Sequence, residues 1–422
     1  MEWNKIPIGM IKKGGKTGKK IGAKKVFGRR QFLITAGIAG LVYLLKPQPM
    51  TAGNRAVAVS ENDLPRFRVR RLPGNPIIIP GMDRRLKEEA ERYGYINING
   101  PSLIRVPSWV QNPLGKYYLY FAHHKGEYIR LAYADELSGP WKIYEPGALE
   151  LSDSHFPTEP PGPGSALAAA VGVWRRNPPA AAWALTQAGL AARVAVQERK
   201  SAGAYGSSED RPHIASPDLL IDESNQKIRM YYHGMLEDTV QMSRVAVSDD
   251  GIHFQAQLEL LTSPYLRVFK YRGMYYGIGM PGILYRSQDG LSNFKARPGL
   301  LFGVNMRHTG LLLRGSKLYI FFSRVGDAPE RILCSVMDIS ADDWRQWRPS
   351  APMEVLRPEY PWEGADLPVE PSIRGEITGP ANQLRDPAIF EDDGKIYLLY
   401  SCAGEQAIAI AELELITSGD EK

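Results

Sequence analysis

An all-β chain folded as a five-bladed β-propeller is what this sequence predicts, and three observations predict it. A pair of short apolar or aromatic segments joined by a tight turn recurs five times between residues 100 and 400. A third strand-like run follows each pair. Gly, Pro or Asp bounds the segments, as expected where strand signals give way to turn signals. One small sheet cannot bury both of its faces, so five of them stack and close into a ring around a channel. A β-sandwich would also use hairpins, but gives no reason for Pro101, Pro217, Pro264 and Pro387 to recur at the openings of the units.

Taken in order, the chain begins with a leader. Residues 1–58 hold 12 of the 52 Lys and Arg residues and only one of the 46 acids, Glu2. The formal charge of +6 therefore conceals a remainder of 40 basic and 45 acidic residues. A mildly acidic body lacks the concentrated basic surface that phosphate backbones require, which argues against nucleic acid as a partner. Gly28-Arg29-Arg30-Gln31-Phe32-Leu33 is followed by the apolar run Phe32–Leu45, then Lys46, then Ala56-Val57-Ala58. That run is shorter than the roughly 20 residues a membrane span needs, so the segment reads as a twin-arginine-type export signal. An uncleaved N-terminal anchor is the alternative. The expectation is an exported, periplasmic or extracellular monomer that meets a membrane only through this signal.

The propeller is expected over residues 59–418. The first pair of strands is Gly100–Ile104 and Gly115–Phe121; the second is Ser216–Leu220 and Gln226–Tyr232. The third is Ser263–Val268 and Arg272–Tyr276, and the fourth is His308–Leu312 and Gly315–Phe321. The fifth is Asp386–Phe390 and Asp393–Tyr400. Third strands are expected at Tyr128–Ala134, Gln241–Ser248, Gly282–Ser287, Arg331–Met337 and Ala407–Glu412. Two loops after them repeat, Ser248-Asp249-Asp250-Gly251 and Ser287-Gln288-Asp289-Gly290.

Two stretches break the pattern. Residues 162–204, between blades one and two, begin with an Ala-, Pro- and Arg-rich run free of acids to residue 197. They read as a helical insertion or a disordered loop. Residues 350–383 are rich in Pro and Glu and read as a long loop before blade five. The two cysteines, Cys334 and Cys402, fall in apolar runs and read as buried thiols, with a single disulfide as the alternative.

Leu131–Trp141, with its Gly139-Pro140-Trp141 ending, resembles the third strand and following loop of family 43 glycoside hydrolases. Ala215-Ser216-Pro217-Asp218 is similar to a blade opening of that family, as is Arg385-Asp386-Pro387 followed by Asp392-Asp393-Gly394. The resemblance spans roughly residues 95–415 without the Ala-rich segment. It implies a five-bladed propeller that binds sugar where the first strands begin, using three carboxylates as base, acid and orienting group. The sequence departs from that pattern at two of the three carboxylates. Asn99-Gly100-Pro101 carries no carboxylate, and Tyr265-Leu266-Arg267 and Arg307-His308-Thr309 stand where a Glu is expected.

Polar residues at blade openings converge on a propeller's channel. The candidate catalytic residues are Asp386, Asp218 and His308. Each has a structural alternative, a turn-capping role for the carboxylates and a satisfied buried imidazole for the histidine. Arg385, Arg307 and Arg267 are candidate substrate contacts, because guanidinium forks match carboxylate and sulfate groups. Their alternative is to pair with acids and lock blades together. His213, Asn99 and His123 complete the set. His123 and His124 are neighbours and should point opposite ways, so no metal site is expected, and no cofactor is called for. Trp109, Trp141 and Trp362 could stack on sugar rings. The expected function is a glycosidase acting on a polysaccharide or oligosaccharide, with an anionic glycan as one option. A non-catalytic sugar-binding propeller and a uronate lyase are the alternatives.

Overall fold

The computed structural model describes residues 64–159, 211–236 and 241–416. The leader and residues 162–204 lie outside them. The described residues form five four-stranded antiparallel sheets. β1 (Arg66–Arg71) is set aside for the last of them. Blade one is β2 (Asn99–Arg105), β3 (Tyr117–Ala122), β4 (Tyr128–Ala134) and β5 (Lys142–Glu150). Blade two is β6 (Ile214–Asp222), β7 (Lys227–Met235), β8 (Gln241–Ser248) and β9 (Gln255–Ala256). Blade three is β10 (Arg267–Tyr271), β11 (Met274–Gly279), β12 (Ile283–Ser287) and β13 (Lys295–Ala296). Blade four is β14 (Met306–Arg314), β15 (Lys317–Arg324), β16 (Ile332–Asp338) and β17 (Met353–Leu356). Blade five is β18 (Arg385–Asp392), β19 (Lys395–Cys402) and β20 (Ala407–Ile416), completed by β1.

The innermost strands touch in a circle, β2 to β6 to β10 to β14 to β18 and back to β2. The ring is closed by β1, which pairs with β20 from Arg66 opposite Ile416 to Arg71 opposite Ala411. The sequence reading supplied the inner three strands of each blade and missed the outer one. Residues 350–383, read as loop throughout, contain β17.

Alternation along each strand builds the seams. In β3, Tyr117, Leu119 and Phe121 pack against blade five through Phe390, Tyr397 and Leu399. Tyr118, Tyr120 and Ala122 face blade two through Ile228, Met230 and Ala246. Both faces of a strand are buried because a blade lies on either side.

The repeated Ser–Asp–Gly loops have a structural cause. Ser248 Oγ accepts from Gly251 N (2.9 Å), and Ser287 Oγ accepts from Gly290 N (3.0 Å). Each loop then offers a carbonyl to the preceding blade. Tyr120 Oη donates to Gly251 O (2.7 Å) and Tyr231 Oη to Gly290 O (2.8 Å). The cysteines are free and buried.

One α-helix occurs among the described residues, α1 (Arg84–Tyr93). Asp83 caps it by accepting from Arg85 N and Leu86 N, and Gly94, left-handed at φ 79°, ends it. Its buried Glu89 receives Arg130 Nη2 (2.5 Å), which fastens α1 to the rim of blade one.

Candidate functional site

Four of the five first strands carry an irregularity at their start. Pairing slips between Asn99 and Ser102, between Ala215 and Asp218, between Arg307 and Thr309, and between Arg385 and Ala388. A residue with left-handed backbone sits in each slip: Gly100 (φ 62°), Ser216 (φ 54°), His308 (φ 37°) and Asp386 (φ 51°). Tyr265 (φ 59°) holds the same place just ahead of β10. Left-handed backbone at four non-glycine residues is costly, and such strain gathers at functional sites.

These five residues stand one per blade at the starts of the inner strands, a ring in which contacts run from Gly100 round to Asp386. A Cβ on Gly100 would lie 3.1 Å from Ser216 Cα, and its left-handed φ of 62° also favours glycine there. The Ser216 side chain bonds Tyr265. The Tyr265 ring lies 4.2 Å from His308 and 4.3 Å from His233, centroid to centroid. His308 Nδ1 contacts the Asp386 carboxylate, and Ser401 Oγ donates to the other Asp386 oxygen (3.0 Å).

The ends of the second strands arrive at the same rim and bring charge. Arg385 meets Glu405 (2.9 Å) and Glu330 (3.3 Å), and Arg307 meets Glu330 (3.6 Å). His124 Nδ1 lies 3.6 Å from Glu405, and its Nε2 lies 3.3 Å from Tyr265 Oη. Burial works to raise the Glu405 carboxyl. The positive fields of His124, Arg385 and Arg307 outweigh it and hold the group well below the usual carboxylate range. Burial pushes His308, His213 and His233 well below the ordinary histidine value, so all three are neutral imidazoles.

Asp386, His308, Arg385, Arg307 and Asn99 thus come together on the ring or one residue from it. Asn99 Nδ2 reaches Asn97 Oδ1 (3.2 Å) and His124 Nδ1 (3.3 Å). His213 stands edge-on to His233 at 5.7 Å, with Nδ1 on Arg211 O (2.8 Å). Asp218 and Arg267 sit two residues past Ser216 and Tyr265, at the seam between blades two and three. Asp218 accepts from Val268 N (2.9 Å) and lies 3.6 Å from Arg267, whose Nε donates to Thr309 O (2.9 Å). Arg267 is therefore out of register with Arg307 and Arg385, which precede their ring residues by one. Burial raises the Asp218 carboxyl to about 6, with Arg267 offsetting part of the rise. His123 turns away from the ring, packing at a tilt 4.5 Å, centroid to centroid, from Tyr93 of α1. The channel histidine of that pair is His124.

Sequence reasoning missed Tyr265, Glu330 and Glu405. Glu405 lies in the turn between β19 and β20, where an acid normally faces water. Its setting among Cys402-Ala403-Gly404 and Ala407-Ile408 was the available signal. Among the described residues no cluster of His, Cys, Asp and Glu could hold a metal ion.

No protein-family model matches the chain. Uncharacterized protein R118 of Acanthamoeba polyphaga mimivirus is 34% identical over 343 residues, which cover 75% of this chain and 84% of the relative. Among solved structures, a putative glycoside hydrolase from Parabacteroides distasonis superposes with a TM-score of 0.48 at 12% identity, over 84% of this chain and 97% of that one. An exo-beta-1,3-galactanase from Phanerochaete chrysosporium superposes with a TM-score of 0.44 at 10% identity, over 77% of this chain. The chain spans only 61% of the galactanase. Neither superposition bears on the chemistry.

Proposed function

The chain belongs to the family of uncharacterized protein R118 of the mimivirus, and we propose that it is a carbohydrate-active enzyme that hydrolyses glycosidic bonds at its channel mouth. The observation that carries this reading is the contact between Asp386 and His308 on the left-handed ring. With its proton on Nδ1, beside the Asp386 carboxylate, a neutral His308 keeps a lone pair on Nε2. That nitrogen takes a proton from water as the water oxygen bonds the anomeric carbon. The glycosidic C–O bond breaks, and its oxygen takes a proton from an acid. Asp218, at the seam between blades two and three and raised to about 6, is the carboxyl that supplies this proton.

Each of the three arginines already faces a carboxylate. That balance favours a neutral glycan over a uronate or sulfated one, because an added anion would meet Glu330, Glu405 and Asp386. The basic, apolar and small-residue succession in residues 1–58 supports export of the chain to its glycan.

A second reading has its own observation. Gly100 presents no side chain where the ring would offer another carboxylate, and the neighbouring acids Glu330 and Glu405 are fully buried against guanidiniums. That favours a propeller that binds sugar without cleaving it. Incubation with neutral, uronic and sulfated glycans, reading released reducing ends, separates the two. Release that disappears in Asp386→Asn supports the enzyme. Binding with no release from any glycan supports the module.

A further inference from the structure

The guanidiniums of Arg307 and Arg385 are almost wholly buried, at 2% and 0% exposed. They face Glu330 and Glu405, and Arg385 also donates through Nε (2.9 Å) and Nη2 (2.6 Å) to Gln383 Oε1. Other N–H groups of both are taken by a stretch of main chain. Arg307 Nη1 donates to Ile373 O (3.1 Å) and Nη2 to Gly375 O (3.1 Å). Arg385 Nη1 donates to the same Gly375 O (3.2 Å). One exposed strap therefore places two neutral oxygens on the two arginines of the site.

The strap is fixed at its ends and lightly held in its middle. Ser372 is buried, and its N donates to Asp327 O (3.0 Å) while its O accepts from Gly326 N (3.0 Å). At the other end Ala381 N donates to Ala403 O (3.2 Å). Between these anchors Ile373 is 46% exposed, and Arg374 is exposed as well. Gly375 has φ +94°, with open space where a Cβ would stand. Side-chain clasps on this middle part include Tyr95 Oη to Glu376 (2.7 Å) and Arg374 Nη2 to Val304 O (2.8 Å). A segment with exposed side chains and a few polar contacts is the kind that opens locally.

We infer that residues 373–376 are a self-ligand, whose Ile373 and Gly375 carbonyl oxygens occupy the places of two neutral hydroxyl oxygens of a bound sugar. The chemistry of the arginines fixes the class of ligand. Their charge is already met by Glu330 and Glu405, so the N–H groups that meet the strap need acceptors that bring no further charge. A sugar hydroxyl oxygen meets that need as a peptide carbonyl does. Entry of the sugar lifts the middle of the strap, while the anchors at Ser372 and Ala381 stay in place. This inference rests on the sugar-binding reading above, and its test separates the two.

The test is hydrogen–deuterium exchange of the full chain with xylobiose, cellobiose or galactobiose, and with glucuronic acid as the anionic probe. Peptides covering residues 373–376 should exchange faster when a neutral disaccharide is bound, with peptides around Ser372 and Ala381 unchanged. Two variants weaken the closed strap without touching the arginines. Tyr95→Phe removes the clasp hydroxyl, and Gly375→Ala adds strain at positive φ without a clash. Each should raise strap exchange and tighten disaccharide binding by roughly tenfold, the worth of one charge-assisted hydrogen bond or one left-handed alanine. Binding that leaves the strap peptides unchanged, or slows them, overturns the self-ligand and leaves the sugar-binding reading standing. Failure of every disaccharide to bind wild type and both variants overturns both.

Discussion

Asp218 and Asp222 lie four residues apart on β6, and their carboxyls are driven in opposite directions. Asp222 lies at the hairpin end of the blade, ion-paired with Arg229. Burial works to raise it, yet Asn225, Ser224 and Arg229 donate enough to hold it at about 2. Asp218, at the channel end, is raised by burial to about 6, with one backbone N–H and a guanidinium 3.6 Å away for relief. Burial works to raise both carboxyls; the donors around Asp222 outweigh it and those around Asp218 do not. The hairpin ends of these blades are furnished with donors from their own turns, as Asp250 and Asp289 also show. At the channel end the polar groups face one another across blades. Self-satisfied acids hold turns, and under-supplied ones keep a proton for chemistry.

The largest expected effect tests the channel side of this contrast. Asp386→Asn should lower turnover on a responsive glycan by about 100- to 10,000-fold, the range for a positioned acid–base group. Asparagine tolerates the left-handed backbone of Asp386, so the thermal midpoint should change little. A loss of folding in place of turnover would make Asp386 a structural acid like Asp222. Asp222→Asn should do the reverse. It leaves the buried Arg229 facing a neutral partner and should cost about 3 kcal/mol of stability with turnover unchanged. The sign with pH follows from the depressed carboxyl. The stabilisation is complete above about pH 4 and is lost as pH falls through about 2, so the gap between variant and wild type should close over that window.

Asp218 gives the opposite sign. Its carboxyl is raised, so its contribution to folding is present below about pH 4 and lost as pH rises through about 6. In the proposed mechanism the same proton goes to the leaving group. The rate should therefore fall as pH rises through about 6, and Asp218→Asn should remove that limb and lower kcat/KM by about 10- to 100-fold. A descending limb that survives in Asp218→Asn would assign the acid elsewhere.

How far the sequence foretold all this follows the same division. Hairpins and third strands were legible because their signals are local: alternating apolar residues, then Gly, Asp or Pro. The outer strands were not. Gln255–Ala256 and Lys295–Ala296 are two residues long and carry no period. β1 closes the ring through partners some 340 residues away, beyond any local pattern. At the site, Asp386, His308, Arg385 and Arg307 were legible because they flank a recurring blade opening. Glu405 was not, since a turn acid reads as solvated until Arg385 is known to lie above it. Tyr265 was read as a departure from a carboxylate position, and the ring of backbone strain that gives it meaning is invisible in the letters. Arg267 looked like the equal of Arg307 and Arg385 because spacing from an opening cannot show a register offset.

The smallest predicted effect concerns the seams at the hairpin end, where each contact is complete within two neighbouring blades. Tyr120 Oη and Tyr231 Oη each donate to a glycine carbonyl of the next blade's Ser–Asp–Gly loop, Gly251 and Gly290. Replacing either tyrosine with phenylalanine keeps the ring in its seam and leaves one carbonyl without its donor. The cost should be about 1 kcal/mol each. The two bonds belong to different seams and share no partner, so the double variant should lose the sum to within about 0.5 kcal/mol. Chemical denaturation of the two single variants and the double variant measures this directly. Losses well beyond the sum would mean that strain passes from seam to seam around the ring. The channel end would then be mechanically coupled to the hairpin end, and the division between a self-satisfied end and a cross-connected one would have to be given up.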